Sequence, residues 1–322
     1  MFHSKTDGAR LRLTDPKGFI NNYALILVFV ALFIFFSISS PYFLNPSNFI
    51  NIFIAVSIIG IMSTAQTLCL IGRGLDISVG SIVAMTGCIQ ANLVLLHDLP
   101  WFVGVLAGLG MGILVGFVSG IITVKFNLNP FIVTLGMMNV VRGLAFVMVD
   151  GQAHFITVNE LKYLGSARWG VIPVSIIILG LSFVIFHFLS SKTIFGRNVY
   201  ASGGNVKAAR LAGINTNKNA VVLFTLSGFM AAVAGTVVVG IGGTAMPNMG
   251  ETYALDTITA VLLGGTSLAG GSGDVRRTFL GMLIIGIINN GMALLNVQSY
   301  WQITAKGALL LGAIMLDAKR KH

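Results

Sequence analysis

Residues 101–124 read WFVGVLAGLGMGILVGFVSGIITV, and no charged side chain interrupts this stretch. A hydrocarbon core about 30 Å thick is crossed by a helix of about 20 mainly apolar residues, so the stretch is long enough to span a bilayer. Glycines at every fourth position lie on one helix face and let a neighbouring backbone approach closely. We therefore predict a membrane-crossing helix packed within a bundle, and we assign helix packing to Gly104, Gly108, Gly112, Gly116 and Gly120.

The rest of the chain has the same apolar character. Its 322 residues are 55% hydrophobic and only 9% charged, whereas soluble domains carry about 25% charged residues. Apolar runs bounded by charged residues, Pro or Asn fall at 23–40, 49–71, 79–96, 101–124, 130–149, 171–189, 220–241, 253–269, 278–295 and 300–316. We predict an all-α, polytopic membrane helix bundle with about ten transmembrane helices, which forms a single domain over residues 1–322.

The basic residues predict the orientation of this bundle. With the N-terminus placed inside, nearly all loop and tail Lys and Arg residues lie inside, and only Lys162 and Arg168 lie outside. Cytoplasmic loops are enriched in Lys and Arg, so we expect both tails, residues 1–22 and 317–322, to be cytoplasmic. The formal net charge of +10 reflects orientation and not nucleic-acid binding, because the basic residues are scattered among short loops.

A short internal similarity suggests two related halves. Leu75-Asp76 before Ile77-Ser78-Val79 recurs as Leu255-Asp256 before Thr257-Ile258-Thr259, and Ser119-Gly120 recurs as Asn290-Gly291. Five spans per half is an odd number, so the second half would be inverted relative to the first. Inverted 5+5 repeats are a frequent plan of transporters, although similarity by chance between glycine-rich apolar helices explains so short a match equally well.

The longest cytoplasmic loop in this topology covers residues 190–219. Good helix formers from Val206 to Leu211 precede Gly213, a natural helix stop, so we expect a short helix beneath the membrane. A basic segment there could contact anionic lipid headgroups, but its glycine turns and small residues suit docking against a protein partner better.

Four blocks of this sequence are distinctive: the run from Phe195 to Ile214, Leu255-Asp256, the block LGGTSLAGG at 263–271 and the block GRGLDISVGS at 72–81. Together they resemble the permease subunits of ribose-, xylose- and galactose-type bacterial ABC importers. The chain departs from the usual family pattern at Arg73, Asp274, Arg276 and Arg277. These departures affect the predicted local contacts and the choice of sugar. The class of protein is indicated by the four blocks together.

The resemblance implies a permease of the bacterial inner membrane that imports a monosaccharide, a ribose-like pentose or a hexose, by alternating access. It implies three protein partners: a cytoplasmic ABC ATPase, an extracytoplasmic sugar-binding protein and a second permease copy, identical or related. It also implies that loop 190–219 couples to the ATPase, through Gly196, Arg197, Gly203, Gly204, Asn205, Ala209, Arg210 and Gly213. On this hypothesis, a bulky residue at position 209 or 213 abolishes transport while the protein stays in the membrane.

No catalytic or cofactor site is evident in the sequence. A Gly-x-x-x-x-Gly-Lys-Ser/Thr loop is absent, and the glycine-rich stretch Gly264 to Gly273 lacks the lysine that would reach phosphates. The histidines have no metal-ligand spacing, and no Ser/His/Asp arrangement can be argued. We therefore expect no enzyme activity, metal or cofactor in this chain, and ATP bound only by the partner subunit.

Polar residues at membrane depth, within the apolar runs or at their starts, are candidates for the transport pathway, because such groups tend to face a bundle interior or water. The candidates are Gln66, Asp76, Asn139, Arg142, Asn289 and Asn290. Amides are also common structural contacts between helices, Asp76 and Asp256 could cap span starts, and Arg142 could extend towards the membrane surface. Lys306 could neutralise a neighbouring carbonyl or carboxylate.

An ion-coupled secondary transporter is the alternative hypothesis, because such proteins also contain inverted repeats. Ion coupling usually requires carboxylates deep in the bundle. The aspartates of this chain lie near predicted span ends, which argues against this alternative.

Overall fold

The computed structural model describes residues 16–319, so parts of both predicted tails, residues 1–15 and 320–322, lie outside the described residues. The helices are α1 (Pro16–Ser39), α2 (Pro46–Ile71), α3 (Val79–Ala91), continued by a π-helical turn (Asn92–Leu96), α4 (Trp101–Lys125), α5 (Pro130–Met148), α6 (Asn159–Ser166), α7 (Val174–Lys192), α8 (Ile194–Gly204), α9 (Val206–Leu211), α10 (Thr216–Gly242), α11 (Tyr253–Leu263), α12 (Val275–Leu294) and α13 (Ser299–Lys319).

The predicted all-α membrane bundle is the observed architecture. Within residues 16–319, seven helices are long and apolar enough to cross a membrane: α2, α3 with its π-helical turn, α4, α5, α7, α10 and α12. Two-residue strands also occur outside the long helices. β1 (His154–Phe155) pairs with β4 (Thr244–Ala245), and β2 (Arg168–Trp169) pairs with β3 (Ile172–Pro173). The protein is therefore a multi-pass membrane protein.

The run predicted at 253–269 is not a continuous helix. Helix α11 ends at Leu263, and Gly265 adopts a positive φ of 84° in the turn that follows. Eleven helical residues extend only about 16 Å, which is half of a hydrocarbon core. The sequence missed this break because the residues 264–269 are as small and apolar as those of a packed membrane helix.

Two irregular segments fold back into the bundle, one before α3 and one before α11. Residues 72–78 carry Asp76, which is fully buried. Residues 243–252 run along α3, with Ala245 facing Gly87 and Gly250 facing Gly80, which is about 10 Å along the helix axis. A Cβ at Gly80 would meet the carbonyl oxygen of Gly250, and one at Gly250 would meet that of Gly80. The two backbones therefore touch where α3 begins.

The glycine stripe of α4 lies against α3 and α10. A Cβ at Gly108 would meet Thr86 of α3, while Cβ atoms at Gly112 and Gly116 would meet the carbonyl oxygens of Gly228 and Phe224 in α10. Such backbone-to-backbone approach is open only to residues without a side chain. Helix α10 accordingly packs more extensively against α4 than against its other neighbours.

Replacing one glycine of this stripe is expected to destabilise the bundle. Gly116→Leu forces α4 away from the α10 backbone, and overpacking of this kind costs about 1–3 kcal/mol. We expect a lower thermal midpoint in detergent and a lower yield of monodisperse protein. Gly110→Leu is the matched control, because a Cβ at Gly110 on the same helix would have no neighbouring atom within 4 Å. Equal behaviour of the two variants would contradict the packing role.

Candidate functional site

Loop 190–219 forms two short helices at one end of α7. Helix α9 covers Val206–Leu211, as predicted, and Gly213 follows with a φ of 79°. Asn205 caps α9 by accepting a hydrogen bond from the backbone N–H of Ala208 at 3.0 Å, and Ala209 is buried on its inner face. The tip residue Leu211 is 91% exposed. The loop therefore presents an apolar side chain away from the bundle.

Helix α8, which precedes α9, was not predicted. Thr193 caps its first turn, with its hydroxyl oxygen accepting a hydrogen bond from Gly196 N–H at 3.1 Å. Gly196 and Gly203 are buried, whereas Arg197, Gly204 and Arg210 are exposed. Glycine is a poor helix former, so sequence propensity argues against this helix. Close packing favours it, because a Cβ at Gly203 would meet the carbonyl oxygen of Ile71.

Arg73 joins α8 to the end of α2. Its Nε donates a hydrogen bond to the Gly203 carbonyl oxygen at 2.6 Å, and its Nη2 donates to that of Gly204 at 3.0 Å. A guanidinium at these carbonyls also complements the negative end of the α8 dipole. The N–H of Gly271 bonds the Ile71 carbonyl oxygen at 2.8 Å. We name this contact of α2, α8 and residues 270–271 the coupling junction.

A tyrosine adds a second connection between α8 and the segment before α12. The Tyr200 hydroxyl donates a hydrogen bond to the Gly273 carbonyl oxygen at 2.8 Å. Burial raises the pKa of Tyr200, and the nearby Asp274 carboxylate raises it further, while Arg276 opposes both effects. The hydroxyl therefore stays protonated and keeps its role as donor at any physiological pH.

Asp76 lies three residues beyond Arg73, inside the bundle. Its Oδ1 accepts hydrogen bonds from the backbone N–H of Ser78 at 2.9 Å and from the Ser78 hydroxyl at 2.6 Å. Ser78, and not Asp76, occupies the N-cap position of α3, so Asp76 binds the backbone of the N-cap residue and not the first turn of the helix. Thr134 of α5 holds the same segment, because its hydroxyl donates to the Leu75 carbonyl oxygen at 3.0 Å.

The other irregular segment is held by Arg142, also on α5. Its Nη1 donates hydrogen bonds to the carbonyl oxygens of Pro247 at 2.6 Å and Met249 at 2.7 Å. Arg142 therefore turns inward, and the expected extension towards the membrane surface is not observed. One helix, α5, thus contacts the segment 72–78 through Thr134 and the segment 243–252 through Arg142.

Lys306 of α13 pairs with Asp256 in the first turn of α11. The Lys306 Nζ lies 2.8 Å from Asp256 Oδ2, and the two side chains are 20% and 4% exposed. Lys306 thus neutralises a carboxylate, as predicted. Asp256 also lies in the first turn of α11, where a carboxylate complements the helix dipole. The burial of Asp76 and Asp256 also corrects the argument against ion coupling, because neither carboxylate lies at the bundle surface.

The remaining pathway candidates divide into structural and exposed groups. Asn290 exchanges hydrogen bonds with Asn48 of α2 at 2.8 and 3.0 Å, which is a helix-packing contact. Gln66 is buried and accepts a weak bond from Ser227 at 3.5 Å, and the Asn289 Oδ1 is buried without a partner among the described residues. Asn139 is exposed on α5. The structure therefore does not gather these amides into one pocket.

The residues 16–319 contain no group of three or more His, Cys, Asp or Glu side chains that could hold a metal ion. Cys69 and Cys88 are both free and buried. What the structure gathers instead is a chain of contacts from the exposed Leu211, through the coupling junction, to the buried Asp76. Sequence reasoning missed the junction, although the unusual Arg73 was a signal for it.

Removing the Arg73 side chain is expected to uncouple α8 from α2. Arg73 has a φ of 67°, where glycine is unstrained, so Arg73→Gly deletes two hydrogen bonds without adding backbone strain. Charge-assisted bonds contribute about 1.5–3 kcal/mol when buried and less at this exposed site, so we expect a loss of substrate transport of about tenfold.

The coupling ratio, which is the amount of substrate transported per ATP hydrolysed, distinguishes this role from simple destabilisation. We expect Arg73→Gly to lower the substrate transported per ATP hydrolysed, measured in proteoliposomes, whereas a merely unstable variant would lower both rates together. Arg73→Lys should recover part of the ratio, and Arg277→Gln, an exposed charge on α12, should leave it unchanged. A wild-type ratio for Arg73→Gly would refute the role of the junction.

Comparisons with known proteins show the family of the chain. Residues 48–316 match the family model described as branched-chain amino acid transport system / permease component. The ribose import permease protein RbsC of Escherichia coli (strain K12) is 36% identical over 309 residues, covering 95% of this chain and 96% of that protein. RbsC of Haemophilus influenzae is 38% identical over 296 residues, covering 90% and 91%.

The L-arabinose transport system permease protein AraH of Escherichia coli (strain K12) is 37% identical over 297 residues, covering 92% of this chain and 90% of that protein. No solved structure is significantly similar to the chain.

Proposed function

This chain belongs to the permease family described as branched-chain amino acid transport system / permease component, and we propose that it carries a ribose-like pentose or a hexose across the bacterial inner membrane. The relatives are named as ribose and arabinose permeases, which supports a monosaccharide substrate. The protein is the membrane-spanning subunit of an ABC importer and is not itself an enzyme. ATP is bound by a partner subunit, and this chain needs no cofactor of its own.

The observation that carries this proposal is the continuous contact from α9 to the bundle interior. An ATPase docks on the exposed face of α9, around Leu211, and its movements reach α8. The hydrogen bonds of Arg73 to Gly203 and Gly204 pass the movement to the segment that carries Asp76. Rearrangement of α2 and α3 then opens the pathway alternately to the two sides.

The end of the bundle that bears α8 and α9 is cytoplasmic in this proposal, as are both termini. Helix α7 connects residue 174 with residue 192 across the membrane, so the loop 149–173 lies at the opposite end. This loop presents the exposed side chains of Phe155, Trp169 and Val171. We assign it to the extracytoplasmic sugar-binding protein, which needs a surface at that end of the permease.

An arrangement of ten spans in an inverted 5+5 repeat explains which helices pack against α3 and α11. Helix α3 packs against α4 and α5 of its own half and α10 of the other. Helix α11 packs against α12 and α13 of its own half and α2 of the other, so each contact of α3 has its counterpart. In transporters with such repeats, broken helices meet at the site where substrate passes, and here the segment before α11 meets the start of α3.

A second permease copy, identical or related, completes the pathway. The outer face of α5 exposes Asn139 between Gly136 and Gly143, and neither glycine has an atom within 4 Å of a Cβ position. A polar amide flanked by open glycines suits a neighbouring copy or a passing sugar better than lipid. The sugar therefore crosses at the interface beside α5, where Arg142 and Thr134 hold the two irregular segments.

Affinity purification of the tagged protein from native membranes tests the proposal. We expect a Walker-motif ATPase to co-purify in mild detergent, and we expect ATP hydrolysis to rise when the sugar-loaded binding protein is added. Proteoliposomes of this complex should accumulate labelled pentose or hexose only with ATP. Uptake driven by a proton or sodium gradient without ATP would instead establish the ion-coupled alternative. The buried carboxylate of Asp76 would then be the candidate for binding the coupled ion.

A further inference from the structure

A polar cavity of about 470 Å³ lies where α7, α8 and the start of α12 meet. Its lining residues are His187, Ser190, Ser191, Arg197, Tyr200, Gly273, Asp274 and Arg276. The residues that form the contacts of the coupling junction are not among them. The cavity is therefore a separate feature of the molecule.

An apolar cavity of about 300 Å³ adjoins the polar one and shares His187 and Arg276 with it. Its other walls are Phe183 and Val184 of α7 with Val275 and Phe279 of α12. The Phe183 and Phe279 rings meet edge to face with centroids 5.2 Å apart and form the floor of a groove between the two helices. Both helices are long and apolar enough to cross the membrane.

The apolar cavity opens sideways onto the membrane-facing surface. Val184 is 66% exposed, and its neighbours Leu181, Ile185 and Phe188 on the same outer face of α7 are exposed as well. A surface of this composition on a spanning helix contacts acyl chains. A soluble partner that approaches from the cytoplasm cannot enter the groove from that side.

The polar cavity carries one net positive charge, from Arg197 and Arg276 against Asp274. Asp274 holds Arg276 in an ion pair, with Arg276 Nη2 3.0 Å from Asp274 Oδ2, whereas Arg197 has no ion-pair partner among the described residues. His187 lines both cavities and marks the place where they join. One monoanion that accepts hydrogen bonds from Arg197 would neutralise the polar cavity.

We propose that the two cavities together bind an anionic phospholipid of the inner leaflet. Its phosphodiester lies in the polar cavity beside Arg197 and His187, and one acyl chain follows the groove over Phe183 and Phe279. Basic pockets between spanning helices on the cytoplasmic side are the usual recognition sites for anionic headgroups. The bound lipid fixes α7 and α12 against α8. This inference rests on the proposed orientation, in which the end that bears α8 is cytoplasmic, and it does not depend on the transported substrate.

Thermal melting of the delipidated protein, with native mass spectrometry, tests the site. We expect phosphatidylglycerol to raise the melting temperature and to remain bound, whereas phosphatidylcholine has a smaller effect. Arg197→Gln should weaken the apparent affinity for phosphatidylglycerol about fivefold, the effect of one basic residue near a membrane surface. Arg168→Gln, which removes an exposed charge at the opposite end of α7, is the matched control and should bind as the wild type does.

A second variant tests the acyl-chain part independently of charge. Val184→Trp narrows the groove and should weaken lipid retention, while the melting temperature without lipid stays near that of the wild type. Equal lipid affinity for Arg197→Gln and Arg168→Gln would overturn the proposal. So would stabilisation by inorganic phosphate equal to that by phosphatidylglycerol, which would indicate a free-anion site. Displacement of the lipid by the ATPase would assign the cavity to the partner protein and would also overturn it.

Discussion

Leu211→Asp is expected to reduce sugar uptake at least thirtyfold while the permease remains folded in the membrane. Leu211 is 91% exposed at the end of α9, so its replacement disturbs no internal contact. In the proposed complex the side chain is buried against the ATPase. An unpaired charge buried at an interface costs about 2–5 kcal/mol, which corresponds to a loss of affinity of about thirtyfold or more.

Co-purification and uptake measure this effect on the same samples. We expect the ATPase to be lost from Leu211→Asp preparations that still contain wild-type amounts of monodisperse permease. Leu211→Met keeps the apolar surface and is the matched control. Ala209→Trp and Gly213→Val should also abolish coupling, but Ala209 is buried and Gly213 has a positive φ, so these variants also alter α9 itself. Normal uptake by Leu211→Asp would remove α9 from the docking surface.

Lys306→Met is expected to be the most destabilising substitution among those considered, because it leaves Asp256 buried without its ion-pair partner. Removing one member of a buried pair costs about 3–5 kcal/mol. Asp256→Asn should cost less, since Lys306 is 20% exposed and its ammonium group can extend towards water. The measurement is the thermal midpoint of each purified variant in detergent.

The double replacement Asp256→Leu with Lys306→Met distinguishes the pair from its individual members. Apolar residues of similar volume often replace a buried ion pair without loss of stability. We therefore expect the double variant to regain most of the stability lost in Lys306→Met. If transport stays low in this stable double variant, the charges of α11 and α13 serve function as well as structure. Full additivity of the losses measured for the single variants Asp256→Leu and Lys306→Met would contradict a direct interaction.

The apolar runs of the sequence predict the helices well, because hydropathy over about 20 residues reflects the solvent that surrounds a membrane helix. Residues 101–124, for example, differ from the observed α4 by one residue. The short helix α9 could also be predicted, since the cap at Asn205 and the stop at Gly213 are local signals. Relatives over more than 90% of the chain establish the permease family.

The break after α11 could not be predicted in the same way. Residues 264–269 are small and mostly apolar, so their composition matches that of a packed helix. The turn is held by contacts of the following Gly270 and Gly271 with α2 and α8, which lie far away in sequence. Helix α8 is the opposite case. Its three glycines predict a loop, but tight packing of Gly203 against the α2 backbone stabilises a helix there.

The amino-acid sequence by itself determined the membrane class, the approximate spans and the permease family, because each follows from local hydropathy or from short motifs. Only the tertiary structure decided the depth of the carboxylates and the connection from α9 to Asp76. Asp76 is five residues from the end of α2 in sequence, yet it is fully buried because its segment folds into the bundle. A residue close in sequence to a helix end is therefore not always close to solvent, because its segment can turn into the bundle. Packing between segments that are distant in sequence determines that turn.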